Sequence, residues 1–356
     1  MGLHYQPQWD LIKPRYAQWW KQQNGSHALL AITAPQCGFA DRSNGPFSAC
    51  PPEGEALEMK QRPMCSECGI SQHGYLADGF PCHHVTIEPG GIATFIGGAE
   101  SKGVESIADV ADLSQVIDPK LNPRNPRWIA TQNAARLSRA SLSIKSLVAF
   151  PALRGHLDAL TLWRGAEQLR EDLAEQPEEV HRLLRALQSA YFEAYDELEL
   201  MLRDHAGGTT LRIETFGVWG PGRLALLGDA FSASLSIQQF DRFVIPYLRQ
   251  YAQHVSHMVY HMVGDLVPTQ VQAVLGVPEL RAVAWKAQLD RTGSWSALHR
   301  QVREAGKSLM LLDVPWEQIE QVLETAESGG GQGLLITTRA PSVAHAESLM
   351  AGRAHG

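Results

Sequence analysis

The chain has 356 residues, 44% apolar and 19% charged, the composition of an ordinary globular protein long enough to bury a large core. Its formal charge of −7, spread without long blocks of one sign, argues against nucleic-acid partners, whose binders carry a basic stripe. No apolar run reaches the ~18 residues of a membrane span, and the opening MGLHYQPQWD has no basic region followed by an apolar core. A cytoplasmic location without a membrane partner is the expectation.

In chain order, residues 8–22 read as an amphipathic helix within an N-terminal helical cap over 1–27, and 28–34 as a first strand. Residues 36–84 then form a polar insertion, rich in Gly, Pro and Cys and without clear periodicity. All five cysteines fall in the first quarter of the chain, at Cys37, Cys50, Cys65, Cys68 and Cys82. An odd number in a chain without an export signal argues against a disulfide framework and for metal or thiol chemistry. Cys65-x-x-Cys68 followed by Cys82 and His84 suits a zinc site, with His73 and His83 as alternates. A redox pair, or free cysteines on a loop, are the other readings.

From about residue 146, short apolar runs at 147–150, 210–216, 224–227, 258–262, 281–285, 308–312 and 333–338 alternate with amphipathic segments. Residues 155–206 read as two helices divided near Gln176 and Pro177, and 237–255 as another. The helix over 315–326 takes Asp313 as its cap and Pro315 in its first turn. Eight candidate strands alternating with helices predict an α/β chain, a (β/α)8 TIM-type barrel in one domain over 1–356. A doubly wound open sheet is the alternative.

Reacting groups of such a barrel sit where strands end. Those positions are Cys37, Glu214, Trp219, Asp229, His261, Trp285 and Asp313. His261 closes an apolar strand and is expected as ligand or acid/base, with a hydrogen-bonded core histidine as the alternative. Asp229 is expected as base or substrate anchor, against a helix cap or a loop ion pair. Glu214, Trp219 and Trp285 are expected to touch the substrate, the two indoles as an apolar or cation-binding wall. A further expectation is that Cys82 and His84 approach His261 and form one metal site.

Several strings carry a family resemblance: YAQWW at 16–20, ALLAITAP at 28–35, GGIATFIG at 90–97, LWRG at 162–165 with PEEV after it, and the block 228–285 with IPYL at 245–248 and HMVG at 261–264. In this order and spacing the chain resembles the uroporphyrinogen decarboxylase superfamily, especially its corrinoid-dependent methyltransferase branch. The resemblance implies a barrel, methyl (one-carbon) transfer on a small or medium organic substrate, zinc, a corrinoid carried by a partner protein, and a homodimer. That branch ends the equivalent strand in His-x-Cys-Gly or His-Leu-Asp-Gly. Here Val263 stands two residues after His261 and no cysteine follows Cys82, so the family's usual zinc site cannot form. The decarboxylases' N-terminal arginine motif is also missing, because the first strand ends in Thr33, Ala34, Pro35, Gln36 and Cys37. A porphyrinogen substrate is therefore not expected. A non-redox decarboxylase or lyase, with Asp229 orienting the substrate and His261 giving a proton, is the second expectation. A non-catalytic metal- or cofactor-binding barrel is the third.

Overall fold

The computed structural model describes residues 2–36, 62–85, 91–96, 112–116, 119–228, 230–286 and 294–353. Among these the strands are β1 (Leu29–Pro35), β2 (His73–Ala77), β3 (Cys82–His84), β4 (Leu147–Ala149), β5 (Gly208–Ile213), β6 (Phe216–Pro221), β7 (Leu224–Leu227), β8 (His257–Met262), β9 (Ala282–Lys286), β10 (Ser308–Val314) and β11 (Leu334–Arg339). Seven form one sheet in the order β2-β1-β11-β10-β9-β8-β7, parallel throughout except where β2 runs against β1. β3 pairs in parallel with β4, and β5 with β6 as an antiparallel hairpin. Phe150 N–H donates to Thr210 O at 2.7 Å and joins the two small pairs, and β5 and β6 pack against β7 at the edge of the large sheet; Asp78 N–H to Leu30 O at 2.7 Å extends the β1–β2 pairing. The fold is thus mixed α/β and dominated by parallel pairing. Among the described residues no helix is long and apolar enough to cross a membrane.

Helix α1 (Trp9–Trp20) buries Trp9, Ile12, Tyr16, Trp19 and Trp20, a spacing that gathers them on one helical face. That face closes over the starting ends of the strands. Trp19 Nε1–H donates to Gly333 O at 3.1 Å, Trp20 Nε1–H to Trp219 O at 2.8 Å, and Ser308 Oγ–H to Trp19 O at 2.7 Å. The Trp20 ring also lies 4.7 Å from the His257 ring. Ser308 and His257 open β10 and β8, so the side chains that share their parity lie on the sheet face that α1 plugs. We call it the inner face. Register then assigns to it His257, Val259 and His261 on β8, Ala282, Ala284 and Lys286 on β9, and Ser308, Met310 and Leu312 on β10. It also receives Leu335, Thr337 and Arg339 on β11, Thr33 on β1 and Tyr75 on β2.

Four local expectations change. The last part of the 36–84 insertion is ordered structure: α2 (Arg62–Ser71), then β2 and β3. Such short strands, with polar residues on the inner face, leave no apolar run to be recognised. After α3 (Pro126–Leu142), residues 155–206 form three helices, α4 (Leu157–Arg164), α5 (Ala166–Glu175) and α6 (Pro177–Leu202). The break before Pro177 stands as expected, and a second falls at Gly165, whose φ of +80° ends α4. Asp313 is the end of β10 rather than a helix cap, and Pro315 precedes the 3₁₀ turn Trp316–Gln318.

The fourth change moves a candidate site residue. The run 210–216 is two strands, reversing at Glu214 and Thr215 with Glu214 at φ +53°. Hairpin turns of two residues favour Asn-Gly or Asp-Gly, so Glu-Thr hides this one. The reversal carries Trp219 back toward the end where β5 begins, away from the strand ends where it was expected. There Trp219 is buried, its ring 5.9 Å from that of Trp9 and its Nε1–H donating to Asp204 Oδ2 at 2.9 Å. It packs so closely over Gly208 that a Cβ there would lie 2.4 Å from the indole nitrogen. Trp219 is a core residue that ties α1 to the hairpin. Trp219→Phe should lower stability by about 1.5–3 kcal/mol, the usual contribution of a hydrogen bond to a charged acceptor, read as a shift in the urea midpoint.

Candidate functional site

Backbone strain concentrates at the end of the sheet opposite α1. The non-glycine residues with left-handed φ among those described are Gln22, Ala77, Arg154 (+45°), His156 (+64°), Glu214 (+53°) and Asp313 (+52°). The last four follow β4, follow β5 or end β10, so most of the strained positions gather where the parallel strands finish. Such strain costs of order 1–3 kcal/mol per residue and persists where the surroundings enforce it, often at functional sites. At Asp313 its effect is visible: the β10–β11 register shifts between Leu311 and Val314, and the irregularity turns the Asp313 carboxylate toward Arg339. Its N–H is held by Thr337 Oγ1 at 2.8 Å.

One group of side chains forms around β8 to β11. His261, half-buried on the inner face, has its pKa lowered by burial and by the Lys286 charge, while Glu214 opposes the shift. The imidazole is therefore neutral at physiological pH and able to accept a proton. Asp313 Oδ2 lies 3.0 Å from Arg339 Nη2 and 3.7 Å from Lys286 Nζ. The two cations are 55% and 57% exposed, so solvent weakens both pairs and leaves the cationic heads open to a ligand.

A second group lies on β2, β3 and β5. Strand alternation puts Cys82 and His84 on one face and His83 on the other. His83 Nε2 is 2.9 Å from Ser138 Oγ on α3, so that ring is held by a helix. Cys82 and His84 take the opposite face, and a Cβ on Gly217, the hairpin partner of the exposed Arg212, would lie 3.0 Å from Cys82 Cβ, so this face meets the side of the hairpin that carries Arg212. Burial pushes the Cys82 thiol up to about 12, against the pull of Arg212, which makes it a poor nucleophile at neutral pH. Burial, and next to it the Arg212 charge, lowers His84 to about 4. His84 Nδ1 is buried with no hydrogen-bond partner among the described residues.

The remaining candidates fall elsewhere. Asp229, Cys37 and Cys50 lie outside the described residues, as does the side chain of Cys65 on α2. Cys68, one turn further along α2, accepts from Gln72 Nε2 at 3.5 Å. His73 is exposed, with its Nδ1 3.0 Å from Gly69 O. Trp285 is a correction: it pairs with Met262 and Leu311 and so faces away from the inner face, which Lys286 reaches in its place. Among the described residues no three His, Cys, Asp or Glu side chains stand where they could hold one metal ion. Cys82, His84 and His261 are not brought together as one metal centre among these residues.

Arg212, Lys286 and Arg339 were not anticipated. A signal for Lys286 existed in the alternation Ala282, Ala284, Lys286, where two small residues precede a charge on one face. Arg212 was concealed by the unrecognised hairpin, and Arg339 by placing the strand's end one residue early.

Gly228 fixes the ends of β7 and β8 together. A Cβ there would lie 2.1 Å from His261 O, and its φ is +150°. Gly228→Ala should cost about 3 kcal/mol or more through overpacking and backbone strain, and should displace His261. Urea unfolding would give the first effect and the His261 imidazole NMR signals the second.

No family model matches this chain, and no curated protein matches it.

Proposed function

We propose that the chain closes into a (β/α)8 barrel and works at the carboxyl ends of its strands as a non-redox lyase or decarboxylase on a small organic substrate. The bond from Phe150 to Thr210, which joins the two small sheets, and the packing of β5 and β6 against β7, the edge of the large sheet, support closure. The order of strings resembling the uroporphyrinogen decarboxylase superfamily supports the same architecture. The observation that carries the chemistry is His261 on the inner face, kept neutral by burial and within electrostatic reach of Glu214 and Lys286, at the end where strained backbone gathers. In the lyase form of this reading His261 takes a proton from the carbon beside the leaving group as the bond to that group breaks, and the imidazolium then gives the proton to the departing group. Lys286 stabilises the negative charge that develops, and Glu214 stabilises the imidazolium. Asp229, next to the Gly228 that touches the His261 carbonyl, is proposed to anchor the substrate.

A panel of organic acids assayed for carbon dioxide release or elimination, in chelator and without corrinoid, tests this reading. His261→Asn should lower turnover by about 10²–10⁴-fold, the usual worth of a general acid/base. Protonation inactivates the base, so kcat/KM should fall only below the ordinary histidine value of about 6.5, because burial lowers the pKa of His261. Undiminished turnover in the variant, or turnover that requires corrinoid, would sink the proposal.

Methyl transfer is the second reading, favoured by Cys82 and His84 sharing one face of β3 two residues apart. Zinc takes four ligands in structural sites and three protein ligands in catalytic ones, and the described residues offer this pair alone, so no step is derived through a metal. Elemental analysis of protein purified without added metal, beside Cys82→Ser and the Cys65→Ser/Cys68→Ser double variant, separates the readings. Near one equivalent of zinc, lost on removing Cys82, would favour methyl transfer. Metal-free protein that turns over would favour the lyase.

A further inference from the structure

Among the described residues at these strand ends, three cations, Arg212, Lys286 and Arg339, stand with two carboxylates, Glu214 and Asp313. Asp313 serves Lys286 and Arg339 together. Arg212 has no carboxylate partner among the described residues; its Nε–H donates to the main-chain oxygen of Glu214 at 3.1 Å, which leaves the two Nη groups of the fork available. Beside it, the buried Nδ1 of His84 also lacks a partner among these residues. A buried polar atom left without a partner costs about 1–3 kcal/mol, so His84 Nδ1 calls for a partner, while the exposed Arg212 fork is open to a ligand from solvent.

The surroundings limit what that ligand can be. Arg212 pairs across the hairpin with Gly217, where a Cβ would meet Phe80 at 2.6 Å and Cys82 Cβ at 3.0 Å. The wall beneath the guanidinium is therefore apolar and tightly packed. Ala149 stands beside His84 in the β3–β4 register and Ala284 beside His261 in the β8–β9 register, so small residues adjoin both histidines.

We propose that Arg212 and His84 bind a carboxylate of an organic acid, with the acid's body directed toward His261 and Glu214. This names the substrate class of the site and rests on the reading of the strand ends as a ligand site. A planar guanidinium matches a carboxylate through two parallel hydrogen bonds, and Arg212 presents its two Nη groups for such a contact. Arg212 acts in this scheme as an anchor and His261 as the group that moves the proton.

Titration calorimetry on the full chain with benzoate, acetate and inorganic phosphate tests the assignment. Benzoate should bind one to one and more tightly than acetate, because its ring adds the apolar body. Arg212→Gln should weaken it at least tenfold, and Arg212→Lys less, since a point charge keeps attraction and loses the fork. Far-UV circular dichroism of both variants verifies folding, and Arg212 is exposed, so both should fold. Equal benzoate affinity in Arg212→Gln, no binding of either carboxylate, or phosphate bound in preference to both would each overturn the assignment. The lyase reading fails separately: His261→Asn should retain benzoate binding while losing turnover. If turnover survives in that variant while binding depends on Arg212, the carboxylate site stands and the lyase reading falls.

Discussion

Two indole N–H groups at the end of α1 decide which way the sheet faces. Trp19 and Trp20 donate to the main-chain oxygens of Gly333 and Trp219, the Trp20 ring sits against His257 at the start of β8, and the Trp19 carbonyl accepts from Ser308 at the start of β10. Strand side chains alternate with a period of two, so fixing His257 and Ser308 against this plug fixes the parity of every residue above them. His261 and Lys286 reach the inner face for that reason. A shift of one residue in β9 would replace Lys286 with Trp285 and remove a cation from the neighbourhood of His261.

The charge pattern above this plug contrasts with the chain as a whole. A protein with formal charge −7 gathers three cations around two neutral imidazoles at one end of its strands. Burial makes the imidazoles neutral, the neighbouring cations reinforce that state, and Asp313 holds two of the cations without covering them. Preorganised groups of this kind work because they need little rearrangement when charge arrives.

Much of this was legible in the sequence where apolar period and strand length agreed. The runs leading to His261 and Arg339 are long, buried and regular, so the existence of β8 and β11 followed from their residues. The hairpin did not, because Glu214 and Thr215 lack the usual turn residues and Glu214 takes a left-handed φ that glycine would normally supply. That one miss misplaced Trp219 and hid Arg212. Trp285 failed differently: a tryptophan ending a strand looks more like a binding wall than the lysine after it, and only register shows which of the two faces inward. The cysteine spacing suggested a metal because spacing along a chain says nothing about strand faces, and His83 turned outward to Ser138 while Cys82 and His84 turned in.

The β5–β6 hairpin has a mechanical consequence. Six residues of strand span roughly 20 Å, and this ribbon has Glu214 at its tip and Trp219 under α1 at its base. It is a stiff strut with one foot in the helical cap and the other beside the histidine. Trimming α1 would strip Trp9 and Trp20 from Trp219 and unseat the lower foot. The upper foot, which positions both Glu214 and Arg212, would then lose its reference, so damage to a helix with no chemistry of its own would appear at the far end as a fault in alignment.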